Sequence, residues 1–138
     1  MTIGNRVIVK RLPERVVLGE VDEIARELGP VLRADRPLIV LDFSDVQQLD
    51  SSGIEMLLRC LEEVMRRNGD LKLAGVPPAA GVVLELTGVD RFFEIYENPS
   101  EAVESFFGLP ARALQQVRPS WREAVQRPED DSDFKLAS

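Results

Sequence analysis

The strongest constraint on the fold is an apolar run that is followed closely by an amphipathic helix. The run is Leu38–Phe43, bounded by Pro37 and by polar Ser44, and its nearly continuous apolar character predicts a strand buried on both faces. After a short loop, apolar residues recur at helical spacing from Ile54 to Met65, with charged residues on the opposite side. A buried strand that leads into such a helix predicts an α/β domain with parallel strands.

The rest of the chain up to residue 108 continues this alternation. The short segments Arg6–Arg11 and Arg15–Leu18 are predicted to form two strands of a hairpin. Further helices are predicted at Val21–Leu28, at Ala79–Leu86 and at Ser100–Phe107, and further strands at Leu71–Val76 and Phe92–Tyr96. Gly29 and Pro30 should end or kink the first of these helices, with room for one more turn at Val31 and Leu32. We expect an α/β fold with a mixed sheet of four to five strands and helices packed mainly on one face.

The composition excludes several classes of function. The 138 residues include no histidine, which removes the commonest general base, the Ser-His and Cys-His nucleophile pairs and the usual zinc sites. The net charge of −7 argues against direct nucleic-acid binding. A lone Cys60 fits a reducing compartment, and neither a signal segment nor a membrane-spanning run is evident. The composition therefore favours a cytoplasmic binding or regulatory domain without enzyme activity, cofactor, metal or membrane insertion.

The character of the chain changes after residue 108. Residues 109–138 contain three prolines and equal numbers of basic and acidic side chains, five of each. This composition predicts a C-terminal tail that is mostly disordered, with one candidate helical turn from Ser120 to Gln126. Trp121 is the candidate anchor for a partner within it. The domain is expected to occupy residues 1–108.

The turn Asp50-Ser51-Ser52-Gly53 carries the clearest chemical signal. It follows the clearest predicted strand, Leu38–Phe43, and begins the clearest predicted helix. It therefore lies at the edge of the sheet where parallel α/β proteins usually bind ligands and partners. One interpretation is structural, because Ser52 and Glu55 have the spacing of a capping box. The other is that Ser51 is a phosphorylation site, where a phosphate near a helix N-terminus is tolerated and adds local charge.

Four segments at consistent spacing, within residues 5–108, resemble the STAS domain family. Its bacterial members include the anti-sigma factor antagonists, also called anti-anti-sigma factors. The segments are Ile39–Ser44, Leu49–Ile54, Asn68–Pro77 and Leu84–Tyr96.

The resemblance implies a phosphorylation-switched regulator. Ser51 would be phosphorylated by a partner anti-sigma factor that is a serine kinase, and a serine phosphatase would reverse the modification. The unphosphorylated form would bind that kinase and free the sigma factor. The docking surface would comprise Asp50, Ser51, Ser52, Gly53, Ile54 and Glu20. Glu20 lies in Gly19–Asp22, a segment that partly matches a Gly-Glu-Leu-Asp segment of the family.

Two other functions stay open. The domain could serve as a non-phosphorylated STAS scaffold, or as an accessory subunit of a stress-sensing complex or a lipid ABC transporter. An enzyme would need Ser51 as a nucleophile assisted by Asp50 or Asp42, and the lack of histidine argues against that. We therefore expect no catalytic residue.

Overall fold

The computed structural model describes residues 6–107, which form an α/β domain with two layers of helix around a parallel sheet. The strands of the main sheet are β1 (Val7–Arg11), β3 (Leu38–Asp42), β5 (Asp70–Ala74) and β6 (Ile95–Tyr96), in the order β1-β3-β5-β6. Two short strands, β2 (Arg15–Val16) and β4 (Gln48–Leu49), form a separate parallel pair. The helices are α1 (Val21–Leu32), α2 (Ser51–Arg66), α3 (Pro78–Leu86) and α4 (Pro99–Ser105), with a 3₁₀ turn at Val89–Phe92.

The predicted α/β class and the alternation of elements are confirmed, but the predicted hairpin is wrong. Gly29 and Pro30 also do not end the first helix, since α1 includes both and continues to Leu32. β1 pairs in parallel with β3, and β2 pairs in parallel with β4, more than thirty residues further along the chain. Leu12, which is buried, donates its N–H to the carbonyl of Asp42, so the pairing with β3 continues to the end of β1 and β2 takes no part in it. Residue composition correctly indicated that β1 and β2 are strands. Their pairing partners are determined by packing against segments that are distant in sequence.

The main core lies on one face of the sheet, beneath α1, α2 and α3. It joins strand residues such as Ile39, Leu41 and Leu71 to helix residues such as Leu28 and Leu57. The helical spacing from Ile54 onward is confirmed by α2, which ends as predicted near Asn68, whose φ is +62°. The buried side of α2 contributes Ile54, Leu57 and Val64 to this core.

Helix α4 covers part of the opposite face and is attached through Lys72 of β5. The side chain of Lys72 is buried, and its Nζ donates to Ser105 Oγ at 2.7 Å and lies 3.0 Å from Glu94 Oε1. The ring centroid of Phe106 lies 4.2 Å from the same Nζ, within the range of a cation–π contact. Asn98 caps α4 by accepting the N–H of Glu101, whereas the sequence suggested a helix starting at Ser100.

Substitutions at Lys72 should separate its packing from its charge. Lys72→Ala should cost about 2–4 kcal/mol of unfolding free energy, because it leaves a cavity under α4 and removes the ion pair. Lys72→Met keeps the volume and should cost no more than about 1.5 kcal/mol. Urea unfolding of both variants is the measurement, and equal losses would show that the charge, not the packing, holds α4.

Candidate functional site

Asp50 fixes the start of α2. Its backbone is extended, with φ −118° and ψ −172°, and its Oδ1 accepts the N–H groups of Ser52 at 3.0 Å and Gly53 at 3.2 Å. These are two of the amides that a helix N-terminus leaves unpaired. The capping box predicted for Ser52 and Glu55 is therefore wrong. The chain leaves β4 extended, and this brings the Asp50 carboxylate over the first turn before Ser52 can act as the cap.

The second oxygen of Asp50 ties another loop to the same turn. Oδ2 accepts the N–H of Leu18 at 3.1 Å, and the Asp50 N–H points to the carbonyl of Val16 at 3.4 Å. Backbone hydrogen bonds, that from Leu18 foremost, hold the pKa of Asp50 below its ordinary value although partial desolvation acts against them. One carboxylate thus joins the loop before α1 to the beginning of α2.

The predicted site residues differ in what they can offer a partner. Ser51 is exposed, Ser52 is half-buried, and Gly53 and Ile54 are buried, so the last two shape the turn without presenting side chains. Glu20 lies in the loop that Asp50 holds, with Oε2 3.6 Å from Nε of Arg15. The structure therefore brings the Glu20 loop and the Asp50–Ser51 turn to one surface.

Sequence reasoning missed two residues of this surface. Leu18 is 75% exposed directly beside Asp50, and Arg15 joins Glu20 to Gln48 Oε1, to which its Nη1 donates at 2.7 Å. The signal in the sequence was a glycine directly after a large apolar residue, which is typical of a loop tip. In the structure Gly19 has a φ of +105°, a backbone conformation that favours glycine.

Two grooves flank the turn. One, of about 440 Å³, lies between α1 and α2, and the other, of about 380 Å³, lies between β4 and α3 and has Asp50 at its edge. Leu18, Ser52, Asp22 and Glu55 line the end of the first groove near the turn, which is acidic with one prominent apolar side chain. The groove also has two arginines, Arg33 and Arg59, which lie further along α1 and α2 from the turn.

Cys60 and Asp42 carry reactive or ionisable groups, but both have structural roles. Cys60 is buried in α2, and desolvation raises the pKa of its thiol to about 11, which fits a packing role. Asp42 accepts the N–H and hydroxyl of Ser44 through Oδ1, and its Oδ2 lies 3.5 Å from Nε of Arg11.

Among residues 6–107 no cluster of three or more acidic or cysteine side chains could hold a metal ion. Within the same range no helix combines the length and apolar character needed to span a membrane.

The fold agrees with that of known proteins. A sequence profile of the STAS domain family matches residues 1–102. The chain belongs to the STAS domain family. The resemblance noted in the sequence is thereby confirmed, and the turn that opens α2 lies inside the matched range.

Individual STAS relatives match part of the chain. A Thermotoga neapolitana protein provisionally named an anti-sigma factor antagonist is 33% identical over 70 residues, or 51% of this chain and 62% of the relative. The anti-sigma F factor antagonist of Paenibacillus polymyxa is 28% identical over 65 residues, or 47% of this chain and 56% of the relative. The chain therefore spans about three fifths of the length of these curated relatives.

Solved STAS structures match more of the fold. An anti-sigma-factor antagonist (STAS) domain protein from Planctomyces limnophilus is 26% identical with a TM-score of 0.62, over 67% of this chain and 80% of that one. A SulP transporter STAS domain from Vibrio cholerae, at 15% identity and TM-score 0.59, shares the fold.

The two candidate caps can be told apart by substitution. Asp50→Ala should lower the melting temperature clearly, because three backbone N–H groups lose their acceptor. Ser52→Ala should change the unfolding free energy by no more than about 0.5 kcal/mol, because no cap bond is lost. Thermal unfolding at neutral pH measures both, and the reverse order would restore Ser52 as the cap.

The Asp50 cap should also depend on pH. The carboxylate has a lowered pKa in the folded state, so its stabilising contribution is present above the unfolded-state pKa and is lost as the pH falls through the folded-state pKa. The difference in melting temperature between the wild type and Asp50→Asn should therefore shrink in acid.

Proposed function

We propose that this STAS protein is an anti-sigma factor antagonist that binds an anti-sigma serine kinase while Ser51 is unmodified. Phosphorylation of Ser51 by that kinase would release it, and a serine phosphatase would restore binding. All three proteins would act in the cytoplasm, and the antagonist would need no catalytic activity of its own. The names of the two curated relatives, both anti-sigma factor antagonists, support this proposal.

The observation that carries the proposal is the contrast between Ser51 and its neighbours. Ser51 is exposed, whereas Asp50 is held by three backbone amides and Gly53 is packed against β2. A modification of Ser51 can therefore change the surface without opening the core. This is the requirement for a switch that alters binding and leaves the domain folded.

The charges near Ser51 determine whether phosphorylation weakens or strengthens partner binding. A phosphate adds about −1.5 to −2 charges at neutral pH. Asp50 already occupies the amides of Ser52 and Gly53, so those donors are not free to neutralise the phosphate. Asp22 and Glu55 line the adjoining groove and add like charge. A partner that fits the unmodified turn would then meet a desolvation cost and a strongly negative surface.

The docking surface follows from exposure. Asp50, Ser51 and Ser52 would contact the kinase together with Glu20 from the neighbouring loop. Leu18 would supply the apolar anchor. Gly53 and Ile54 would act indirectly, by setting the position of the turn.

The first test is intact-mass and phosphopeptide analysis of the protein isolated from its native cells. We expect a single phosphate on Ser51 whose occupancy changes with growth or stress conditions. A chain that stays unmodified in every condition would contradict the switch. It would favour the non-phosphorylated scaffold or transporter-accessory role.

A further inference from the structure

The two faces of the main sheet are covered unequally within residues 6–107. Three helices, α1, α2 and α3, pack on one face and bury the large core. The other face, here called the α4 face, has α4 and a small cluster of Val40, Ala74, Tyr96 and Ala102. Since α4 is 7 residues long, part of the α4 face has no helix over it among these residues.

The uncovered part lies at β1, the edge strand of the sheet. Val7 packs against the small cluster, and alternation along the strand puts Val9 and Arg11 on the same face. Val9 is 43% exposed although it lies within a strand beside the buried Val40. Val9 shares this face with the half-buried Val7 and Phe106, so the apolar surface is larger than one side chain and another segment can cover it.

The chain itself continues from this face. Phe106 packs against the small cluster, and the next residue, Phe107, is 59% exposed at the end of α4. From there, 14 residues lead to Trp121 and can extend to roughly 45 Å. The sheet face is about 15 Å across, so the following residues reach every part of it.

The sequence after α4 has the composition that would suit this surface. Leu114, Val117, Trp121 and Val125 recur at spacings of three and four residues, and Pro119 suits the first turn of a helix that carries Trp121 and Val125. Residues 109–127 contain four arginines and one glutamate, a net charge of +3.

The charges of α4 complement those of the segment. Residues 97–107 contain three glutamates, at positions 97, 101 and 104, and no basic residue. All three are exposed. Residues 109–127 thus combine an apolar stripe with basic residues. They follow directly after an apolar surface that lies beside the acidic helix α4.

We propose that residues 109–127 fold back on the α4 face. Trp121 and Val125 cover Val9 and the β1 side of the sheet, and the arginines lie against the glutamates of α4. The occupant of this surface is therefore the protein's own C-terminal segment, not a partner. This part of the chain would be ordered by the domain, whereas its composition alone predicts disorder.

Trp121 makes the proposal directly testable, because it is the single tryptophan of the chain. The emission of the full chain should lie at shorter wavelength than in urea, and acrylamide should quench it less. Val9→Asp should remove both effects, whereas Leu86→Asp, at an exposed position on α3, should leave them unchanged. Circular dichroism establishes that each variant is folded.

A second variant guards against loss of folding in the edge strand. Glu104→Lys lies on the exposed side of α4 and should increase the quenching of Trp121, because it opposes the arginines. Emission equal to that in urea, or no response to Val9→Asp and Glu104→Lys, would overturn the proposal. Shielding that disappears on dilution would also overturn it, since a second copy would then be the occupant.

Discussion

Ser51→Asp is expected to reduce affinity for the anti-sigma kinase by at least about a hundredfold, because an unpaired charge buried in an interface costs several kcal/mol. The new carboxylate would lie beside Asp50, whose own oxygens are engaged by backbone N–H groups. Ser51→Ala should bind within about threefold of the wild type, because the exposed hydroxyl makes little contribution to the fold.

The matched control is Ser100→Asp. Ser100 is also exposed in the first turn of a helix, α4, so this variant repeats the charge and the helix-dipole effect at another surface. It should bind the kinase like the wild type. Both aspartate variants should retain their unfolding free energy within about 1 kcal/mol, which separates loss of binding from loss of structure.

The measurement begins with affinity capture from native extract on immobilised wild-type protein. The captured protein that carries an ATP-binding kinase domain is then purified and titrated against each variant. Equal affinities for wild type, Ser51→Asp and Ser51→Ala would refute the switch. Equal losses for Ser51→Asp and Ser100→Asp would show only a general effect of negative charge.

The centre of the fold was predictable from sequence because its patterns are long and consistent. Leu38–Asp42 is buried from its second residue onward, and the apolar spacing in α2 continues over several turns. Such segments have one physically reasonable structure, and the order in which they alternate fixes a parallel sheet. The position of Ser51 at the start of α2, after the carboxyl end of β3, follows from the same two elements.

What the sequence could not supply depends on contacts between distant segments. Asp50 and Ser52 are both good cap residues, and the choice depends on Val16 and Leu18, which are more than thirty positions away. The partner of β2 is likewise β4, a two-residue strand too short to show a pattern of its own. Local chemistry predicted the elements and candidate residues, and tertiary packing decided between the local alternatives.

Gly53→Ala is expected to lower the unfolding free energy by about 2 kcal/mol, as the difference between two opposed effects. Alanine in place of glycine within a helix should stabilise by about 1 kcal/mol. Against this, an added Cβ would overlap the carbonyl oxygen of Val16 and lie 2.9 Å from Val16 Cγ1 and 2.7 Å from Leu49 Cδ1. Overpacking of this kind typically costs about 3 kcal/mol when backbone has to move.

The backbone of Val16 decides which effect is larger. Val16 is fully buried and pairs with Leu49 in the small sheet, so its carbonyl cannot retreat without disturbing β2. Trimming the softer neighbour should therefore fail to rescue the variant, and Leu49→Ala with Gly53→Ala should be less stable than Leu49→Ala alone. Thermal unfolding of these variants beside Ser52→Ala gives the comparison. A Gly53→Ala protein more stable than the wild type would mean that helix propensity governs this position, and that β2 does not lie against the start of α2.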